Sequence, residues 1–264
     1  MSKTKKVNLN YTRKLTISQN FITSSKLLHR IVNLSTISKK DTVLEIGSGK
    51  GHLTNVLCEK CGYLYSIEID KQLFDKTKEK LSAIKNLQLI YGDFLKYRLP
   101  FEGKYKVFAN IPYSITTQIA EKLTEAENPP NDIWLVVEKG VAKRFMGIPA
   151  ETKKSLFLKI NWNMKIVYYF KRGDFHPEPS VDSVLLHLSR KECSDLDRTD
   201  FISFKKFVEH SLKFGLFSNK SLLTKKQVST ALKQADLPQL KNDGVTLYIQ
   251  WLCLFRCYKR FNRR

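Results

Sequence analysis

The run Thr42-Val43-Leu44-Glu45-Ile46 stops at Gly47-Ser48-Gly49-Lys50-Gly51, and a helical stretch, Leu53–Glu59, follows at once. A strand, a glycine turn and a helix start in that order are the opening of a parallel α/β unit, because parallel strands need a crossover to join them. The alternation continues to about Arg190. Further strands are expected at Tyr63–Ile69, Leu87–Tyr91, Tyr105–Ala109, Ile133–Val137, Lys165–Phe170 and Val184–Leu188, and helices at Gln72–Leu81, Thr116–Thr124, Val141–Met146 and Leu156–Asn161. Pro129-Pro130, Pro177 and Pro179 punctuate the pattern. Beyond Arg190 the strand signal ends. Phe201–Leu212, Lys225–Ala235 and Thr246–Phe255 have helical period, the last with Leu247, Trp251, Leu254 and Phe255 on one face. With 264 residues the chain has length for a large domain and a small one. The expected division is a basic, solvated arm at 1–14, an α/β domain at 15–190 and a small helical domain at 191–264.

Glycines at 47, 49 and 51 permit positive φ and let the backbone approach a ligand closely. A dinucleotide fingerprint reads G-x-G-x-x-G, its third glycine packing helix on strand beneath a pyrophosphate. Here the spacing is G-x-G-x-G and His52 stands in the fingerprint's last place, which favours S-adenosylmethionine, a nucleoside without phosphate. Glu68 ends the next strand about twenty residues on, where a carboxylate can accept both ribose hydroxyls. Asp70 is its rival and reads better as a helix cap. Asp93 ends the third strand and suits an adenine amino group, with Phe94 beside it to pack on the ring. Gly47, Glu68 and Asp93 thus sit at three consecutive strand ends, where open α/β sheets bind ligands.

Past the buried run Val107-Phe108-Ala109 comes Asn110-Ile111-Pro112-Tyr113. An aromatic exocyclic amine is a poor nucleophile, because its lone pair is delocalised into the ring. The Asn110 oxygen and a backbone carbonyl of this turn are two acceptors that could draw such a nitrogen toward tetrahedral geometry. Pro112 fixes φ and removes a competing N–H, and Tyr113 offers a face on which a flipped-out base can stack. With a methyl donor already activated by its positive sulfur, positioning and electrostatics suffice, and no metal is required.

The formal charge is +21, from 46 Lys and Arg against 25 Asp and Glu, so a polyanionic partner is expected, above all nucleic acid. Lys139, Lys143 and Arg144, just after a strand end, are candidate RNA contacts. A membrane surface is the weaker alternative, since no basic amphipathic helix with a broad apolar face is evident and no run reaches the eighteen or so apolar residues of a span. The N-terminus lacks the apolar stretch of a secretory signal. Five cysteines, an odd count, suggest reduced thiols in the cytoplasm. Cys58-x2-Cys61 with Cys253-x3-Cys257 would make a four-sulfur zinc site only if the fold joined them, and small buried hydrophobes are the expected reading.

Ser18-Gln19-Asn20-Phe21-Ile22, Glu45–Gly51, Asn110–Tyr113 and Phe175-His176-Pro177-Glu178-Pro179-Ser180-Val181-Asp182-Ser183 together resemble the ribosomal RNA adenine N6-methyltransferases, in order from about Gln19 to Arg190. Asn-Ile-Pro-Tyr, Gly-Ser-Gly-Lys-Gly-His and Val136–Arg144 look more like the Erm type, which methylates one adenine of 23S ribosomal RNA and confers macrolide–lincosamide–streptogramin B resistance. The alternative is the KsgA type, which dimethylates adjacent adenines of the small-subunit RNA and usually has Leu inside the Asn-x-Pro-Tyr motif. The resemblance implies a Rossmann-like methyltransferase domain with a mostly parallel seven-stranded sheet and a late antiparallel strand, plus an all-helical C-terminal domain. It also implies that Asn20 and Ile22 lie near the methionine end of the cofactor, with Gly47, Glu68, Asp93 and Asn110 completing the contacts. Phe175 would be a second aromatic wall facing Tyr113; the residues alone suggest only a buried loop anchor. The expected partner is free or nascent 23S RNA, met by a monomer that needs neither membrane nor metal. DNA adenine and protein-glutamine methyltransferases typically carry a second proline in the amine motif, which this chain lacks. A non-catalytic RNA-binding relative is disfavoured by the intact Asn110 motif, Glu68 and Asp93.

Overall fold

The computed structural model describes residues 20–100, 102–240 and 245–262. The basic arm at 1–14, and Ser18 and Gln19 of the first motif, lie outside them. The strands are β1 (Phe21–Ile22), β2 (Thr42–Ile46), β3 (Tyr63–Glu68), β4 (Leu87–Tyr91), β5 (Lys106–Asn110), β6 (Asp132–Glu138), β7 (Trp162–Tyr169), β8 (Phe175–His176) and β9 (Ser183–Arg190). The helices are α1 (Ser25–Asn33), α2 (His52–Lys60), α3 (Lys71–Lys80), α4 (Thr116–Thr124), α5 (Lys139–Met146), α6 (Lys153–Asn161), α7 (Arg198–Phe214), α8 (Lys225–Gln234) and α9 (Tyr248–Phe261).

Seven strands form one sheet in the order β4-β3-β2-β5-β6-β9-β7. From β4 to β6 all neighbours are parallel, and β9 runs antiparallel to β6, pairing Glu138 with Ser183. This is a mostly parallel seven-stranded α/β sheet, and the chain continues after it into a helical C-terminal region. The strand order reverses at β2: the chain builds outward through β3 and β4, then returns to place β5 on the other side. Such a switch leaves a crevice at the carboxyl ends of β2 and β5. Central strands are apolar on both faces, as sheets covered by helices demand: Val107, Phe108 and Ala109 of β5 and Ile133–Val137 of β6 are wholly buried.

The chain divides into two compact units, one running to Ala142 and resuming at Met164–Arg190, the other formed by Lys143–Asn163 and the residues from Lys191. The second therefore takes in residues 143–163 as well as the C-terminal helices expected from period. The reason is apolar burial. Leu156 and Ile160 of α6 share a core with Phe204, Phe207, Trp251, Leu254 and Phe255. In the first unit Leu28, Ile31 and Val32 of α1 pack with Leu57, Leu64 and Phe108.

Several bounds differ from expectation. β7 begins at Trp162, three residues early, because α6 passes straight into it. β3 stops at Glu68 and α7 continues to Phe214, where Gly215 at φ 82° ends it. The helix α1 and the short antiparallel pair β1–β8 were not anticipated.

Candidate active site

The loop after β2 is a left-handed chain of glycines: Gly47, Gly49 and Gly51 have φ of 81°, 52° and 76°. Other residues rarely hold such angles. The loop is fastened from beneath. The Gly49 amide donates to Glu68 Oε2 at 2.8 Å, and the Thr77 hydroxyl donates to the Gly49 carbonyl at 2.9 Å. The other Glu68 oxygen accepts the Asp70 amide at 2.9 Å. Glu68 is almost wholly buried, and burial raises its pKa while these backbone donors pull it back. Each carboxylate oxygen keeps a second lone pair for a ligand hydroxyl. Asp70 is the N-cap of α3, accepting the amides of Gln72 and Leu73.

Two adjoining hollows open above this loop, and Gly47, Glu68, Ile111 and Pro112 line both. The first is completed by Asn20, Ile22, Asn110 and Tyr113 among others. The second is completed by Asp93 and Phe94 with apolar Ile46, Ile67 and Ile115. The structure thus gathers Asn20, Ile22, Gly47, Glu68, Asp93, Asn110, Pro112 and Tyr113 around one crevice. A nucleoside with an amino-acid tail fits these surroundings: bare backbone at the glycine loop, a buried carboxylate between the hollows, a second carboxylate among apolar walls.

Asn110 ends β5, and its Nδ2 donates to the Asn20 carbonyl at 2.8 Å. Among the described residues the Oδ1 end of the carboxamide has no hydrogen-bond partner. Tyr113 starts a short 3-10 turn leading into α4, and its hydroxyl meets the Ser183 hydroxyl of β9 at 2.5 Å. Burial raises the Tyr113 pKa, countered by hydrogen bonds to Ser183 and the Asn20 side chain.

Phe175 lies elsewhere in this conformation. It is 3% exposed, pairs with Ile22 across β1–β8 and packs on Phe170 at 5.2 Å, and it lines neither hollow. Lys139 faces Tyr169 and Asp182. Lys143 and Arg144 are exposed on α5 in the second unit. Cys58 and Cys61 are buried with thiol pKa values pushed by burial to about 12 and about 11. Cys253 and Cys257 are half-buried and pack against the second unit's core. Among the described residues no three His, Cys, Asp or Glu side chains are grouped to hold a metal, and no helix is long and apolar enough to cross a membrane.

Sequence reasoning gave no role to Phe21, Ser183 or His52. The Phe21 ring lies so close to Gly49 that a Cβ there would come within 2.8 Å of it, and Lys50 Nζ stands 4.9 Å from its centroid. Phe21 and Ser183 fall inside motifs read from the sequence, but nothing in their spacing says what they touch.

The ribosomal RNA adenine dimethylase family model matches residues 10–251. An rRNA adenine N-6-methyltransferase of Lysinibacillus sphaericus is 36% identical over 247 residues, which is 93% of this chain and 96% of the relative. One of Limosilactobacillus reuteri is 37% identical over 246 residues, 93% and 97% of the two chains. Among solved structures, the 23S rRNA methyltransferase ErmE superposes with a TM-score of 0.80 at 28% identity, over 91% of this chain and all of that one. A dimethyladenosine transferase of Plasmodium falciparum shares the fold with a TM-score of 0.67 at 22% identity, over 90% and 98% of the two chains.

Proposed function

The chain belongs to the ribosomal RNA adenine dimethylase family, and on that premise we propose that it methylates the N6 amine of one adenine in 23S ribosomal RNA. It is an rRNA adenine N6-methyltransferase of the Erm type that uses S-adenosylmethionine. The 23S target, and macrolide–lincosamide–streptogramin B resistance as its consequence, are the finer reading. The observation that carries it is likeness to ErmE along nearly the whole chain, in both sequence and fold.

S-adenosylmethionine supplies a methyl group on a positive sulfur, ready for displacement. Glu68 is assigned to the ribose hydroxyls, Asp93 to the adenine amino group, and Gly47 to the close backbone approach to the nucleoside. Asn20 and Ile22 cover the methionine end. A flipped-out substrate adenine stacks on Tyr113, and Phe175 is assigned to its other face, which requires that ring to leave its place beside Phe170. With Nδ2 tied to Asn20, Asn110 presents Oδ1 to one amine hydrogen, drawing the nitrogen toward tetrahedral geometry. Bound there, the cofactor would supply the methyl group and keep the electron pair as a neutral thioether, and the amine would release its proton to solvent. Lys139, Lys143 and Arg144 are assigned to RNA phosphates, and the helical unit to RNA binding and support. A monomer acting on free or nascent large-subunit RNA in the cytoplasm completes the reading.

Expression in a macrolide-sensitive bacterium tests it. Resistance is expected from the wild-type protein and not from Asn110→Ala. No resistance, together with restored 16S dimethylation in a strain lacking it, would instead establish the KsgA-type activity.

A further inference from the structure

Tyr169 is the most exposed large apolar side chain among the described residues, at 61%. It closes β7, the edge strand of the sheet. An exposed aromatic ring alone is ordinary. This one stands in a small charged cluster. Lys139 Nζ lies 5.9 Å from its centroid and 3.7 Å from Asp182 Oδ2. Arg172 Nη2 lies 3.6 Å from the other Asp182 oxygen. One carboxylate therefore pairs with two cations, one of them beside the ring, with a positive charge left over.

The cluster is connected to the active site through the backbone. Asp182 directly precedes Ser183, whose hydroxyl meets the Tyr113 phenol, and the Asp182 carbonyl accepts the Lys139 amide at 2.8 Å. The carboxylate that holds the cations thus lies one residue from the hydroxyl bonded to the wall assigned to the flipped adenine. A chain whose one base enters the crevice must lay its neighbouring nucleotides close beside that wall. Unpaired bases stack on exposed aromatic rings whatever their sequence, while Lys and Arg take the flanking phosphates. The ion pairs to Asp182 are exposed and long, hence weak, so a phosphate can displace the carboxylate from either cation.

We propose that Tyr169, Arg172 and Lys139 form a second nucleotide subsite, in which Tyr169 stacks a base flanking the target adenine and Asp182 holds the cations ready for its phosphates. The proposal rests on the reading that the substrate is RNA. It adds a contact that fixes strand path and so helps choose which adenine is taken.

The test uses the full-length protein and a short single-stranded oligoribonucleotide with one adenine flanked on both sides by 2-aminopurine. Wild type and Tyr169→Phe are expected to quench the probe, because either ring stacks. Tyr169→Ala is expected to lose the quenching and about tenfold in affinity, with S-adenosylmethionine affinity unchanged as evidence of an intact fold. Arg172→Ala should lower the salt slope of binding by about one phosphate contact. Equal quenching and affinity in Tyr169→Ala, or no quenching by wild type, overturns the subsite. Methylation of 23S RNA by the wild-type protein is a separate readout. Quenching through Tyr169 without methyl transfer to 23S RNA overturns the substrate reading and leaves the subsite standing.

Discussion

The Asn110 carboxamide has one end committed: its Nδ2 donates to the Asn20 carbonyl, and Oδ1 is the atom proposed to accept from an incoming amine. Asn110→Ala removes that acceptor without opening a core position, and turnover is expected to fall on the order of 100-fold or more with the fold retained; single-turnover methyl transfer by a variant of unchanged circular dichroism checks this. Glu45 is a different kind of buried polar group. Its Oε2 accepts the Ser66 hydroxyl, and burial pushes its pKa from 4.5 to about 7, with the Ser66 and Thr54 hydroxyls opposing. Between those values the folded protein holds a proton that the unfolded chain has released. The stabilisation from this group is therefore complete below about pH 4.5 and is lost as pH rises through about 7. Glu45→Gln should abolish that fall, worth at most about 3 kcal/mol, and urea melts at pH 5 and pH 8 would show it as a smaller pH dependence than in wild type. Glu68, Asp93, Asn110 and Tyr113 were legible as candidates because their chemistry sits at strand ends. Their tethers to Gly49, Asn20 and Ser183 were not, since hydrogen bonds spanning 19, 90 and 70 positions leave no local pattern.

At the scale of elements, β1 lies over the glycine loop as a strap. Phe21 fills the space above Gly49, and Ile22 is held by pairing with Phe175. A methyl group at Gly49 would face both a φ of 52° and a ring carbon at 2.8 Å, so it must displace Phe21 or distort the loop. Gly49→Ala is thus expected to weaken S-adenosylmethionine binding at least tenfold, while thermal stability falls by only about 1–2 kcal/mol; isothermal calorimetry and melting of the same sample separate the two. The sheet was legible because each strand carries an apolar run with a turn signal after it, and α4 was read to the residue. The strap was not: a two-residue strand has no period. The helix α1 shows burial of Leu27, Leu28, Ile31 and Val32, a helical spacing that was present in the sequence and went unread. The start of β7 was obscured because Trp162 continues the apolar character of α6 without a Gly or Pro between them.

For the whole molecule, the +21 charge is spread over both units, and Lys139, Lys143 and Arg144 lie along one helix that passes from the first to the second. Charge of this size governs encounter with RNA and its dependence on salt. The logarithm of the affinity for single-stranded RNA should fall linearly with the logarithm of salt concentration, and replacing these three residues by Ala should reduce the slope by roughly 2; filter binding across a salt series measures both. A slope that is flat in the wild type would mean that the charge has no part in RNA binding. The domain division was readable only in part, because residues 143–163 have an α/β pattern by sequence and a helical-core location by packing. The central claim is methyl transfer to an adenine amine of large-subunit RNA. Incubating the protein with labelled S-adenosylmethionine and deproteinised 23S and 16S RNA, then digesting to nucleosides, tests it most directly. The account predicts label in N6-methylated adenosine from 23S RNA and none from 16S RNA; label in 16S RNA alone, or in neither, would contradict it.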